Sequence, residues 1–256
     1  MMKHILDLTL KDSRFLNARN ILMKFTADEP LPDMKPGQFV EAKVEGEPKV
    51  FLRRPISIHY VDEEKNELWL LVQTVGNGTH QMAKLRPGET MNFVLPLGDR
   101  GFDCEKRNQR LLLVGGGVGV APLLYLAKAL KEKGNQITYL LGGRTKADLM
   151  QLDEFSKYGE VLVTTEDGSE GEKGFVTQHS VLNDNKFDYI YTCGPTPMMK
   201  AVADYAKKSA TPCEVSLENK MACGLGACLC CVTDTKHGHE CVCQKGAVFD
   251  INDLNW

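Results

Sequence analysis

The sequence predicts a multi-domain protein of β plus α/β class. An N-terminal antiparallel β-barrel, a central parallel-sheet α/β nucleotide-binding domain and a small C-terminal metal-binding subdomain are expected, over residues 1–102, 103–212 and 213–256. Three observations support this. The first third carries short apolar or alternating runs cut by Pro-Gly and Asn-Gly turns. The middle alternates strand-like and helix-like segments, with a glycine loop after its first strand. In the last part, six of the nine cysteines fall between Met221 and Cys243.

A length of 256 residues suits two domains and an appendage. With 43% hydrophobic and 25% charged residues, the composition is that of an ordinary globular protein. A net charge of -3 gives no electrostatic footprint for nucleic acid. No run of about 18 apolar residues predicts a membrane span, and the N-terminal MMKHILDLTLKDSRF lacks the apolar core of a signal peptide. A cytoplasmic location is therefore expected, where clustered cysteines more often bind metal than one another.

In the first third, Gln38 to Val44 alternates apolar and polar residues, as a strand does. Ser57–Val61 and Glu67–Val75 are further strands, and no convincing helix is visible, so a small antiparallel barrel is predicted. Two of its loops suit an anion. In Arg53-Arg54-Pro55-Ile56-Ser57 an arginine fork matches a pyrophosphate and a hydroxyl can meet a ring nitrogen. In Gly76-Asn77-Gly78-Thr79 the glycines let backbone N–H groups approach closely. Taken singly, they fit a surface arginine pair and an ordinary Asn-Gly turn.

In the middle, Leu111–Val114 is a continuous apolar run of the kind a buried parallel strand needs. Gly115-Gly116-Gly117-Val118-Gly119-Val120-Ala121-Pro122 follows it, then an amphipathic helix to about Lys133, stopped by Gly134. Strand, glycine loop and helix N-terminus together make a phosphate site. Val120 replaces the last glycine of G-x-G-x-x-G, and the next strand, Ile137–Leu141, ends in Gly142-Gly143-Arg144 with no acidic residue. This is not the ordinary dinucleotide fingerprint; glycines needed only for tight packing are the competing reading. Further strands are expected at Glu160–Thr164 and Asp188–Thr192. The latter runs into Cys193-Gly194-Pro195 and a helix to Lys208, which sets Cys193 at a ligand-binding strand end.

In MACGLGACLCCVTDTKHGHECVC the spacing of Cys223, Cys228 and Cys231 is C-x4-C-x2-C, the plant-type [2Fe–2S] run. Cys241 or Cys243 can close a four-thiolate site. Gly224, Gly226 and Ala227 leave room for a tight turn with amides aimed at sulfur. A structural zinc takes the same donors. Disulfides fit poorly, since Cys230 and Cys231 are adjacent and no signal peptide precedes them.

Taken together, RRPISI, Gly76–Thr79, GGGVGVAPL and CGPTPMM resemble the ferredoxin–NADP reductase superfamily in order and spacing, over nearly the whole chain. MACGLGAC after that module is similar to the electron-transfer subunits of NAD-dependent (class 1B) dihydroorotate dehydrogenases. The resemblance implies an iron–sulfur flavoprotein of pyrimidine biosynthesis. Dihydroorotate would be oxidised on an FMN-containing catalytic subunit, in a heterotetramer of two copies of each chain. Electrons would cross a [2Fe–2S] cluster to FAD, and a hydride would go to NAD+.

By motif, the resemblance implies that Arg54, Pro55, Ile56 and Ser57 contact the flavin, that Leu71, Val72 and Gln73 line it, and that Gly78 and Thr79 hold its pyrophosphate. Gly115, Gly116, Gly117, Gly119 and Pro122, with Gly194 and Pro195, would meet the nicotinamide nucleotide, with Cys193 near hydride transfer. Cys223, Cys228, Cys231 and Cys243 would be the cluster ligands, Cys243 being preferred because Gly246–Phe249 resembles the family's segment after its last ligand. Ile56 stands where the superfamily has an aromatic, and Arg144 leaves NAD against NADP open. Similar architectures serve as the flavin subunit of a sulfide dehydrogenase, an NADH-dependent ferredoxin–NADP reductase or an oxygenase reductase. A non-catalytic nucleotide-binding module with a zinc-stapled tail is the alternative of another class.

Overall fold

The N-terminal strands are rich in Leu, Ile, Val and Phe, and closing them on one another buries these side chains without leaving an open edge. The computed structural model describes residues 2–184 and 186–256. Its first strands are β1 (His4–Phe15), β2 (Asn20–Thr26), β3 (Phe39–Ala42), β4 (Arg54–Asp62) and β5 (Glu67–Gln73). A short helix α1 (Asn77–Met82) leads to β6 (Thr90–Leu97). The six strands form a closed antiparallel barrel in the order β1-β2-β5-β4-β3-β6. Inside it, Phe25 and Phe93 are fully buried and meet edge to face with ring centroids 5.0 Å apart.

Helix α1 stands where the sequence shows only a turn. Six residues are too few to display a helical period. The local cause is Thr79, whose Oγ1 accepts N–H bonds from Val75 (3.0 Å) and Gly76 (3.2 Å). Those bonds anchor the turn that opens the helix.

The next element, β7 (Arg110–Gly116), is buried on both faces from Leu111 to Gly116, as a central parallel strand must be. A 3₁₀ turn at Gly117–Val120 leads into α2 (Ala121–Lys131), which carries Pro122 in its first turn and buries Leu123, Leu124, Leu126, Ala127 and Leu130. Then come β8 (Gln136–Gly143), α3 (Leu152–Ser156), β9 (Glu160–Thr165), β10 (Glu172–Lys173), α4 (Val181–Asp184), β11 (Tyr189–Cys193), α5 (Thr196–Lys208) and β12 (Cys213–Ser216). The tail forms a hairpin of β13 (Val232–Thr235) and β14 (Gly238–Cys241), a turn of helix α6 (Val242–Lys245) and a last strand β15 (Val248–Asp250). The large sheet runs β10-β9-β8-β7-β11-β12-β15, with its pairs from β10 to β12 parallel. Strand order turns back between β7 and β11, and such a reversal opens a crevice at the carboxyl ends of the strands.

These elements divide into two units. One joins Met1–Gly101 to Leu217–Val248, and the other joins Phe102–Ser216 to Phe249–Trp256. The cysteine-rich stretch thus belongs with the barrel. Among the described residues no helix is long and apolar enough to cross a membrane. Phe93→Ala should cost about 3–5 kcal/mol of unfolding free energy, because the cavity it leaves faces Phe25 and cannot collapse. Chemical denaturation followed through Trp69 checks this.

Candidate functional site

In the α/β unit, β7 and β11 lie side by side with Gly115 opposite Cys193. That register brings the glycine loop against Cys193-Gly194-Pro195. A side chain on Gly119 would collide with the backbone of Gly194, and a Cβ on Gly116 would stand 2.5 Å from Met198 Sδ. Gly115 is equally confined, 2.9 Å from side-chain atoms of Val120 and Leu123. Gly117 is different. It has φ +57 and nothing within 4 Å of where a Cβ would be, so its backbone is open to a ligand. Gly115, Gly116, Gly117, Gly119, Pro122, Gly194 and Pro195 are therefore gathered at one strand edge. Cys193 is there too, but its side chain is fully buried. Met198 belongs to the same cluster. Sequence reasoning missed it because a methionine in an amphipathic helix gives no sign of where it packs.

In the barrel, β4 pairs with β3 so that Arg54, Pro55, Ile56 and Ser57 oppose Ala42, Glu41, Val40 and Phe39. Leu71, Val72 and Gln73 lie on β5 and pair with β2. The two predicted anion loops meet. A Cβ on Gly78 would stand 2.5 Å from Arg54 Nε and 3.2 Å from its Cζ, so only glycine lets the guanidinium lie on the start of α1. A guanidinium beside free helical N–H groups is a fit cradle for a pyrophosphate. The Thr79 hydroxyl is engaged within the turn, accepting from Val75 and Gly76 and donating to the Gly76 carbonyl at 3.1 Å.

In the cysteine stretch, backbone amides point at sulfur. Leu225 N and Cys228 N donate to Cys223 Sγ at 3.3 and 3.4 Å, Gly226 N to Cys243 Sγ at 3.1 Å, and Cys243 N to Cys231 Sγ at 3.4 Å. Gly224 (φ +63) and Gly226 (φ +80) supply the left-handed turns that aim them. Thiol contacts join Cys223 to Cys228, and Cys231 to both Cys241 and Cys243. Among the described residues no three metal-binding side chains surround a point suited to one ion. Cysteine sulfurs that accept from backbone amides suit an iron–sulfur cluster. Cys243 is fully buried and takes the Gly226 amide, whereas Cys241, less buried and also beside Cys231, donates weakly to Gly226 O at 4.0 Å. None of the nine cysteines is in a disulfide. The amides of Leu225 and Cys228 pull the Cys223 thiol down to about 6, while burial pushes Cys243 up to about 12.

Glu41 breaks the alternation of its strand. All four residues of β3 are buried, and Glu41 is 1% exposed because the cysteine turn covers it. A Cβ on Gly224 would stand 3.1 Å from Glu41 Cγ and 3.3 Å from its Oε1. Neither carboxylate oxygen has a hydrogen-bond partner. Arg53 donates instead to the carbonyls of Glu41 (3.2 Å) and Asn92 (3.1 Å), and Arg54 to those of Leu52 (3.0 Å) and Arg53 (3.2 Å). Burial pushes the Glu41 carboxyl up to about 7, against the pull of Arg53. The signal in the sequence was a lone acid inside the apolar run of β3.

A family model for the oxidoreductase NAD-binding domain matches residues 113–204, and one for the iron-sulfur cluster binding domain of dihydroorotate dehydrogenase B matches residues 218–255. The electron transfer subunit of dihydroorotate dehydrogenase B (NAD(+)) from Shouchella clausii is 41% identical over 227 residues, 86% of each chain. Its counterpart from a Geobacillus strain is 39% identical over 243 residues, 93% of each chain. A solved NADH-dependent reduced ferredoxin-NADP oxidoreductase superposes with a TM-score of 0.87 at 33% identity, covering 97% of this chain and 90% of that one. The ferredoxin reductase of carbazole 1,9a-dioxygenase, at 20% identity and a TM-score of 0.70, shares the fold, with coverage of 82% and 67%.

Because its carboxyl pKa is raised on folding, Glu41 binds more protons in the folded chain between about 4.5 and 7. Its contribution to stability is present below that window and lost as pH rises through it. Glu41→Gln should remove the loss and exceed the parent at pH 8 by about 2–3 kcal/mol. Urea unfolding of both chains at pH 5 and pH 8 tests this; equal pH slopes would assign the effect to another group.

Proposed function

The chain belongs to the family of electron-transfer subunits of NAD-dependent dihydroorotate dehydrogenase B, and from that premise we propose how it works. It is an oxidoreductase subunit that takes electrons from a catalytic partner and delivers them to NAD+. The observation that carries this reading is the cysteine stretch, where amides of Leu225, Gly226, Cys228 and Cys243 face the sulfurs of Cys223, Cys231 and Cys243. When bound, FAD can take electrons singly from an iron–sulfur centre and release them as a hydride to NAD+.

The chain's own residues hold and orient. Cys223, Cys228, Cys231 and Cys243 would ligate a [2Fe–2S] cluster, and the amides around them would stabilise its negative charge. Arg54 and the start of α1 at Gly78 and Thr79 would grip the FAD pyrophosphate. Pro55, Ile56, Ser57, Leu71, Val72 and Gln73 would line the flavin. The open backbone of Gly117, with Gly115, Gly116, Gly119 and Pro122, would receive the nicotinamide nucleotide beside Gly194 and Pro195. Cys193, fully buried, would support that turn from beneath.

The partner in this reading carries FMN and pairs as two copies with two of this chain, in the cytoplasm. Leu225 and Leu229, 47% and 64% exposed on the cysteine turn, would face it. A second reading makes the chain the flavin subunit of an NADH-dependent ferredoxin–NADP reductase or a sulfide dehydrogenase. The 33% identity to the solved NADH-dependent oxidoreductase favours it, and it keeps the same groups with another partner.

The visible spectrum of the anaerobically purified chain, with iron and sulfide assayed, should show flavin bands and about two irons per chain. A colourless, zinc-containing protein would overturn the reading. Cys243→Ser should lose the iron, while Cys241→Ser and Cys230→Ser keep it. The chain alone should reduce dyes with NADH yet form no orotate from dihydroorotate until the FMN subunit is added. Orotate formed by the single chain would refute that division of labour.

A further inference from the structure

We propose that Phe51 is a further cofactor-binding residue, its exposed ring stacking on the adenine of FAD so that the site selects the dinucleotide over FMN. The inference deepens the FAD reading above and rests on it. Phe51 is 90% exposed, the most of any large apolar residue described, and Val75 is 72% exposed. Single apolar side chains on a surface are ordinary, but these two flank one group. Arg54 Nη1 donates to the Leu52 carbonyl at 3.0 Å, which sets the residue after Phe51 on the guanidinium. Gly78 closes on the same guanidinium at the start of α1. Val75 enters that turn, its N–H donating to Thr79 Oγ1 at 3.0 Å.

Direction along β4 separates the two ends of the cofactor. Arg54 opens the strand and Ser57 lies three residues on, about 10 Å away at the rise of an extended chain. A flavin ring lined by Pro55, Ile56 and Ser57 therefore lies on one side of a pyrophosphate held at Arg54. A cofactor bound extended sends the nucleoside on its far phosphate the other way, toward Leu52 and Phe51. Phe51 offers an open π-face there, and a purine stacks on such a face without needing hydrogen bonds. Leu52, 47% exposed, and Val75 shield the edges of the base. FMN ends at its phosphate and leaves all three side chains in solvent.

The test is a calorimetric titration of the flavin-free full chain with FAD and with FMN, on the parent, Phe51→Ala and Phe51→Trp. Phe51→Ala should bind FAD about tenfold more weakly, as loss of a base–aromatic stack does, with its FMN affinity unchanged. Phe51→Trp should match or exceed the parent for FAD. Unchanged FAD affinity in Phe51→Ala would overturn the proposal and leave the ring to a protein partner. An equal loss for both flavins would overturn it too, assigning the effect to the fold of the loop. A parent that binds FMN as tightly as FAD would mean that adenine has no site. A parent that binds neither flavin would sink the flavoprotein reading itself, and the stack with it.

Discussion

The contact on which the barrel unit depends is the seat of the cysteine turn on strand β3. At Gly224 the turn has φ +63, and a Cβ there would stand 3.0 Å from Leu97 Cδ1 and 3.1 Å from Glu41 Cγ. Only a residue without a side chain both adopts that backbone and fits that space. Because the turn is seated there, its amides face inward to sulfur and its leucines outward to solvent. A second close approach nearby, Gly98 against Ala247 N at 3.1 Å, fixes where the segment returns. Residues 217–248 thus become part of the barrel unit, although some 120 residues of α/β domain separate them from it in sequence.

The α/β unit uses the same device for another purpose. Gly119 against Gly194 brings two loops from neighbouring strands into backbone contact, and the register of β7 with β11 puts them at the point where strand order reverses. Packing confines Gly115, Gly116 and Gly119, which leaves Gly117 as the open one. Glycines of one run therefore serve different ends: three let chains pack, and one presents its backbone. A sequence of consecutive glycines cannot show that division, since it depends on which neighbours arrive from β11 and α5.

Placement, not side-chain acid–base chemistry, is what these residues supply. In the proposed function the sulfur-facing amides, the Arg54–Gly78 contact and the open Gly117 would each hold a charged or polar group without taking part in bond changes. Glu41 is a buried carboxyl neither of whose side-chain oxygens is hydrogen-bonded. Its raised carboxyl pKa and its place beside the cysteine turn follow from one cause, the covering of a strand face that is polar in sequence.

Much of this was legible in the chain itself. The strands at Leu111–Val114 and Glu160–Thr164 and the helix Thr196–Lys208 were visible because parallel strands and amphipathic helices write their burial into local apolar pattern. The cysteine spacing and the glycine loop were visible because ligand and anion geometry need particular residues at particular offsets. Two things only the tertiary structure decided. Helix α1 depends on Thr79 bonding back to Val75 and Gly76, a local closure too short to leave a period. The burial of Glu41 depends on a segment about 180 residues away folding over it, and alternation along β3 records only the pleat of its own strand. Sequence pattern reports what a segment can bury; what covers it is set by the path of the rest of the chain.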